Sequence, residues 1–80
     1  MFRRNYRNFE LEANRAKDGG YVVRILRKGT LVQVLGGEEH GRGAYEDPQI
    51  ALDWAIDWVE ENLKKVAEIV ITALTKEGFL

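Results

Sequence analysis

Eighty residues without a cysteine make a single domain, 1–80, that folds with no disulfide and excludes a cysteine-based metal site. With 45% apolar residues and one proline, the composition is that of a globular chain rather than a disordered one. The formal net charge is −1, but residues 1–37 carry eight basic and three acidic side chains, residues 38–63 one basic and eight acidic, and residues 64–80 three basic and two acidic. A near-neutral chain of this kind presents two fields of opposite sign.

Residues 1–8 form a basic N-terminal arm, with Arg3, Arg4 and Arg7 interleaved by Phe2 and Tyr6. The arginines suit a signal-peptide start, yet no apolar run follows them. No stretch of the chain approaches the roughly 20 apolar residues that span a bilayer, so no membrane partner and a cytoplasmic location are expected. In "NFELEANRA", Phe9, Leu11 and Ala13 alternate with Glu10, Glu12 and Asn14, the period of a half-buried strand. Asp18-Gly19-Gly20 is hairpin-turn chemistry, because glycine accepts positive φ without steric cost. "YVVRILR" is a second strand, with Tyr21, Val23 and Ile25 on one side and Val22, Arg24 and Leu26 on the other. Lys28-Gly29 is a second tight turn and "TLVQVL" a third strand, which together predict an antiparallel meander.

Residues 36–43, "GGEEHGRG", hold four glycines and no apolar side chain, and predict a mobile loop. Asp47 before Pro48 is an N-cap followed by proline at the first helical position, and the helix is expected to run from there to the low sixties. Further on, the β-branched run Ile69 to Thr72 predicts a fourth strand. Against this, no glycine or proline breaks the chain between Pro48 and Gly78, and Val66, Val70 and Ala73 would extend the helix's apolar stripe. The strand is the reading carried forward. The expected fold is α+β: an antiparallel sheet of three or four strands with one long helix across one face.

On that helix, Leu52, Ala55, Ile56, Val59, Leu63 and Val66 fall in one sector, the spacing of a helix seated on a sheet. Trp54 and Trp58 fall about 120–160° from the centre of that sector. Each indole can bury on the order of 150–250 Å², so leaving both in water forgoes several kcal/mol at about 25 cal/mol per Å². Something is expected to cover them: the C-terminal segment Ile69 to Leu80 folding back with Phe79 and Leu80, a second copy, or another protein. Tryptophan is enriched at binding hot spots. Glu46, Asp47, Asp53, Asp57, Glu60 and Glu61 crowd the same stretch. Acids near a helix N-terminus complement its dipole, and solvated faces are charged in any case. They also suit a basic groove on another protein.

Arg3, Arg4 and Arg7 of the arm, with Arg24, Arg27 and Lys28 of the hairpin, form the other candidate set. Arginine can hold phosphates and aromatics can stack on single-stranded bases, although strand arginines also guard sheet edges. His40 is the one histidine, beside Glu38 and Glu39, with no recognised metal spacing. The glycines around it form no phosphate loop, since no lysine-serine or lysine-threonine follows. No cofactor, metal site or enzymatic activity is expected.

In layout, "DGGYVVRI" followed by strands and "DPQIALDWAIDWVEE" is similar to the sheet-and-helix half of HicB-type antitoxins. That resemblance covers about 50 residues of common small-domain pattern. In size, absence of motifs and an acidic aromatic helix, the chain also resembles small phage-encoded anti-CRISPR proteins, with no shared motif. That likeness implies an inhibitor occupying the surface of a nucleic-acid-binding assembly such as a CRISPR effector complex. The leading expectation is therefore a non-enzymatic protein-binding module. Trp54 and Trp58 would be its anchors, and Asp53, Asp57, Glu60 and Glu61 would supply complementary charge. The alternatives are a nucleic-acid-binding module and a structural homodimer joined through the tryptophans.

Overall fold

The computed structural model describes residues 1–37 and 40–76, with residues 65–76 described by their backbone alone. Four strands, β1 (Phe2–Tyr6), β2 (Phe9–Arg15), β3 (Tyr21–Arg27) and β4 (Thr30–Leu35), form one antiparallel sheet in chain order. One helix, α1 (Pro48–Lys76), packs on it. The fold is the α+β class expected from the sequence.

The three central elements form where alternation and turn chemistry place them. Lys28 and Gly29, at φ 50° and 78°, make the two-residue turn between β3 and β4. Gly19 and Gly20, at φ 97° and 73°, close the β2–β3 connection. The arm supplies the fourth strand. It is turned by Arg7 and Asn8, at φ 46° and 68°, a left-handed pair that contains no glycine. Asparagine tolerates that region, whereas arginine incurs a cost of order 1 kcal/mol there.

In register, Phe2, Arg4 and Tyr6 share the helix side with Ala13, Leu11 and Phe9, so Arg3 and Asn5 take the open side with Glu12 and Glu10. The core lies between Leu11, Ala13, Val23 and Ile25 of the sheet and Ala51, Leu52, Ala55 and Val59 of α1. Ala51 and Ala55 are fully buried, and their small side chains let the helix backbone approach the sheet. The buried sector is thereby turned about 40° from the expected stripe, towards the tryptophans. Trp58, expected on the outer flank, instead packs half-buried against the core. Leu63, expected in the stripe, is exposed.

One other expectation is corrected. Ile69 to Thr72 continue α1 rather than forming a strand. The chain there has no breaker, and β-branching costs a helix only tenths of a kcal/mol per residue. Segment 36–43 is hydrogen-bonded to its neighbours over its described part. Gly43 N donates to Gly19 O at 2.9 Å, Asp18 N to Gly41 O at 3.2 Å and Ala44 N to Gly36 O at 2.8 Å. Tyr21 and Tyr45 exchange both backbone hydrogen bonds, at 2.6 and 3.2 Å. Glycine permits this approach, since a Cβ at Gly43 would stand 2.5 Å from the Tyr21 backbone and one at Gly20 would collide with the Gly43 carbonyl.

The approach makes a measurable difference between two left-handed glycines. Gly29 faces open space, so Gly29→Ala should lower stability by about 1 kcal/mol, the left-handed cost alone. Gly20→Ala adds a backbone collision and should cost about 3 kcal/mol or more. Urea unfolding of both variants measures the gap.

Candidate functional site

The two flanks of α1 carry different chemistry. On the β1 flank, Glu60 accepts a hydrogen bond from the Tyr6 hydroxyl and pairs with Arg7 Nε at 2.7 Å. These bonds tie the strained Arg7–Asn8 turn to the helix. The Tyr6 hydrogen bond, helped by the positive charge of Arg7, holds the Glu60 carboxyl below its ordinary 4.5. Glu60, expected as partner-facing charge, is thus engaged within the fold.

The opposite flank is the open one. Trp54 is 55% exposed. Its ring stacks on Tyr45, with centroids 6.3 Å apart and an interplanar angle of 26°. Tyr45 is held by its backbone exchange with Tyr21, and its ring lies on Gly36, where an added Cβ would meet Tyr45 Cε2 at 2.5 Å. Partial burial raises the Tyr45 phenol above its ordinary 10.0, so it stays neutral at physiological pH. Ala44, Tyr45, Glu46, Ile50 and Trp54 line an open cleft of about 450 Å³. Ile50 lies one turn before Trp54 and is also exposed.

One carboxylate, Glu46, lines this cleft, and others stand along the first turns of α1. Asp47 caps the helix by accepting from Gln49 N at 2.7 Å, and Asp53 accepts from Gln49 Nε2 at 3.0 Å. Glu46, Asp57 and Glu61 are exposed, and among the described residues none of the three forms an ion pair. Of the six expected contact residues, Trp54, Asp53, Asp57 and Glu61 are exposed on α1. Trp58 faces the core and Glu60 the β1 hairpin. Sequence reasoning missed Tyr45 and Ile50. The only signal for Tyr45 was an aromatic between a glycine-rich stretch and a helix cap.

The basic set does not gather on one surface. Arg3 and Arg24 lie on the open sheet face, where they flank Glu12 at 3.3 and 4.0 Å. Glu12 is only 7% exposed, so the two guanidinium groups offset the cost of burying its charge. Arg4 is on the helix side, while Arg27 lies over the Phe9 ring at 5.6 Å. Arg7, Arg27 and Lys28 do meet around a polar cleft of about 580 Å³ where the β1–β2 and β3–β4 turns adjoin. His40 is exposed, and Glu38 and Glu39 lie outside the described residues, as do Phe79 and Leu80, the expected cover for the tryptophans. Among the described residues, no helix is long and apolar enough to cross a membrane.

The Glu60 pairing should appear in the pH dependence of stability. Its carboxyl is depressed in the folded state, so its contribution is fully present above about 4.5 and is lost as pH falls through the lower folded value. Glu60→Gln should therefore be less stable than the parent at pH 7, and the difference should be smaller at pH 3. Urea midpoints at the two pH values read it directly.

The chain matches no protein-family model, no curated protein and no solved structure. What this flank of α1 can bind follows from its own shape and charge.

Proposed function

We propose that the chain is a non-enzymatic protein-binding module. It docks the open flank of α1 on a basic surface of a nucleic-acid-binding protein, and so acts as an occupying inhibitor of the kind small phages encode. The observation that carries this reading is Trp54: an indole 55% exposed, backed by a fixed tyrosine and bordered by carboxylates that have no ion pair among the described residues. An exposed tryptophan in a shallow apolar cleft is an anchor geometry, since covering it releases apolar surface from water at little rotamer cost. The surrounding acids would steer a basic partner and set the register of docking. Trp58 contributes by seating the helix rather than by contact.

A nucleic-acid-binding reading has one observation in its favour, the meeting of Arg7, Arg27 and Lys28 at the turn end of the sheet. Arg7 is paired with Glu60, and Arg27 is stacked on Phe9, which leaves Lys28 as the cation of that cleft with no ion pair among the described residues.

The test is affinity capture from a bacterial lysate with the parent, Trp54→Ala and Asp57→Lys/Glu61→Lys. The expected result is a basic nucleic-acid-binding protein held by the parent, weakened at least tenfold by Trp54→Ala and lost on charge reversal. The charge-reversed variant should unfold within about 0.5 kcal/mol of the parent, because its changes are at exposed positions, while Trp54→Ala, which loses the stacking on Tyr45, should lose about 1 kcal/mol or more and still fold. Tight oligonucleotide binding with a steep salt slope, unaffected by the charge reversal, would favour the second reading instead.

A further inference from the structure

Trp54 and its surroundings specify more than an acidic, sticky flank. Tyr45 stacks on the indole from the loop side, at 6.3 Å. Glu46 lines the same cleft, and Asp57 follows Trp54 by three residues on α1, one turn further along the same helix surface. The arrangement is an exposed indole with one carboxylate on the loop and another on the helix. Both parts act on a cation: the ring by its quadrupole, the carboxylates by charge and hydrogen bonding.

Resting on the docking reading above, we infer that this cleft is a guanidinium site: an arginine of the partner stacks its planar head on Trp54 and donates to Glu46 and Asp57. Arginine fits better than lysine on three counts. Its head is flat, so it can lie against an indole. Its five donors fan out in one plane, so two carboxylates on different elements can be reached at once. It is less strongly hydrated than an ammonium, so it enters a partly apolar cleft lined by Ile50 and Ala44 at smaller desolvation cost. A nucleobase could also stack on the ring, but its phosphates would meet Glu46, Asp53 and Asp57. An apolar helix would cover the ring and leave those carboxylates desolvated and unpaired, which disfavours it.

Among the described residues, none of the chain's own cations lines the cleft. Arg42 shares the adjoining cleft with Glu46, but no ion pair joins them among the described residues. Tyr45 is set before any ligand arrives, because its backbone is bonded to Tyr21 and its ring rests on Gly36. Binding therefore orders little on this side of the cleft.

The probes are fluorescein-labelled hexa-arginine and hexalysine peptides, titrated by anisotropy at equal ionic strength. They carry the same charge, so an acidic flank alone binds them equally. The expected result is that hexa-arginine binds the parent about fivefold more tightly than hexalysine. Trp54→Leu should abolish that preference while both peptides keep residual, salt-sensitive binding. Glu46→Gln/Asp57→Asn should weaken hexa-arginine more than hexalysine. In a Trp58→Phe background, unlabelled hexa-arginine should quench the remaining indole, that of Trp54. Equal affinities for the two peptides, or a preference that survives Trp54→Leu, would overturn the guanidinium site and leave the docking reading standing on its lysate capture. Failure of both peptides to bind would overturn the site as well. So would a concentration-dependent dimer in light scattering that already shields Trp54 from a neutral quencher. Loss of lysate capture with the arginine preference intact would instead remove the docking reading and keep the site.

Discussion

The close seat of α1 on the sheet is the constraint from which the rest of the molecule follows. Ala51 and Ala55 are both fully buried and sit over Leu11, Ala13, Val23 and Ile25. With methyl groups at the contact, the helix can approach until Leu52 and Val59 close the sides of the interface. That approach fixes the rotation of α1 about its axis, and the rotation assigns every other side chain its neighbour. Trp58 is brought against the core and Glu60 to Tyr6 and Arg7, while Trp54 is left beside Tyr45. A bulkier residue at either alanine would have to lift or roll the helix, because a core at crystal-like density has no slack to take up the added volume.

The same geometry sorts the charges. Read along the chain, the basic third and the acidic middle look like two separate surfaces. Folded, much of the basic set is used inside the domain. Arg3 and Arg24 flank Glu12, Arg7 holds Glu60, and Arg27 lies over Phe9. These contacts give a largely buried carboxylate its partners on the open sheet face and bind the first hairpin to the helix. The acids at the start of α1 meet few such partners. Asp47 and Asp53 are satisfied by the helix's own Gln49, and Glu46, Asp57 and Glu61 remain without ion pairs among the described residues. The outward field of the helix flank is therefore more negative than the net charge of −1 suggests.

Much of the sheet was legible in the sequence, because its signals are local. Phe9, Leu11 and Ala13 alternate, Gly19-Gly20 and Lys28-Gly29 turn the chain, and these decide three strands and their order. The first strand was less legible. "FRRNY" shows little apolar alternation, and its turn uses Arg7 and Asn8 at positive φ without a glycine. The left-handed cost there is offset by a tertiary contact to Glu60, 53 positions along the chain, which no local pattern reveals. The length of α1 was misjudged because β-branching is only a weak bias against helix, while the absence of any breaker before Gly78 is a strong one for continuing it. The flank assignment failed by a fraction of a turn for a packing reason. A hydrophobicity pattern weights large residues and so drew Ile56 and Leu63 into the stripe and left Ala51 out, whereas close approach favours the small ones. Tyr45 was invisible because its role comes from two backbones meeting at Gly20 and Gly43.

An exposed indole beside a fixed phenol is a poor arrangement for a domain optimised for its own stability alone. Rolling α1 further towards the tryptophans would bury Trp54 and, at about 25 cal/mol per Å², gain a few kcal/mol. It would also pull Glu60 away from Tyr6 and Arg7 and lift Leu52 from the core. The clamp on one flank and the loop on the other thus oppose that roll together. Small domains bury a limited fraction of their surface, so a large aromatic left outside is a conspicuous forfeit. It is offset when a partner supplies the missing cover. On the docking reading proposed above, the fixed Tyr45 matters a second time: a wall already in place would need no ordering on association, so more of the covered area would appear as affinity. Stability forgone at Trp54 and rigidity imposed at Tyr45 are both properties that favour association over self-burial.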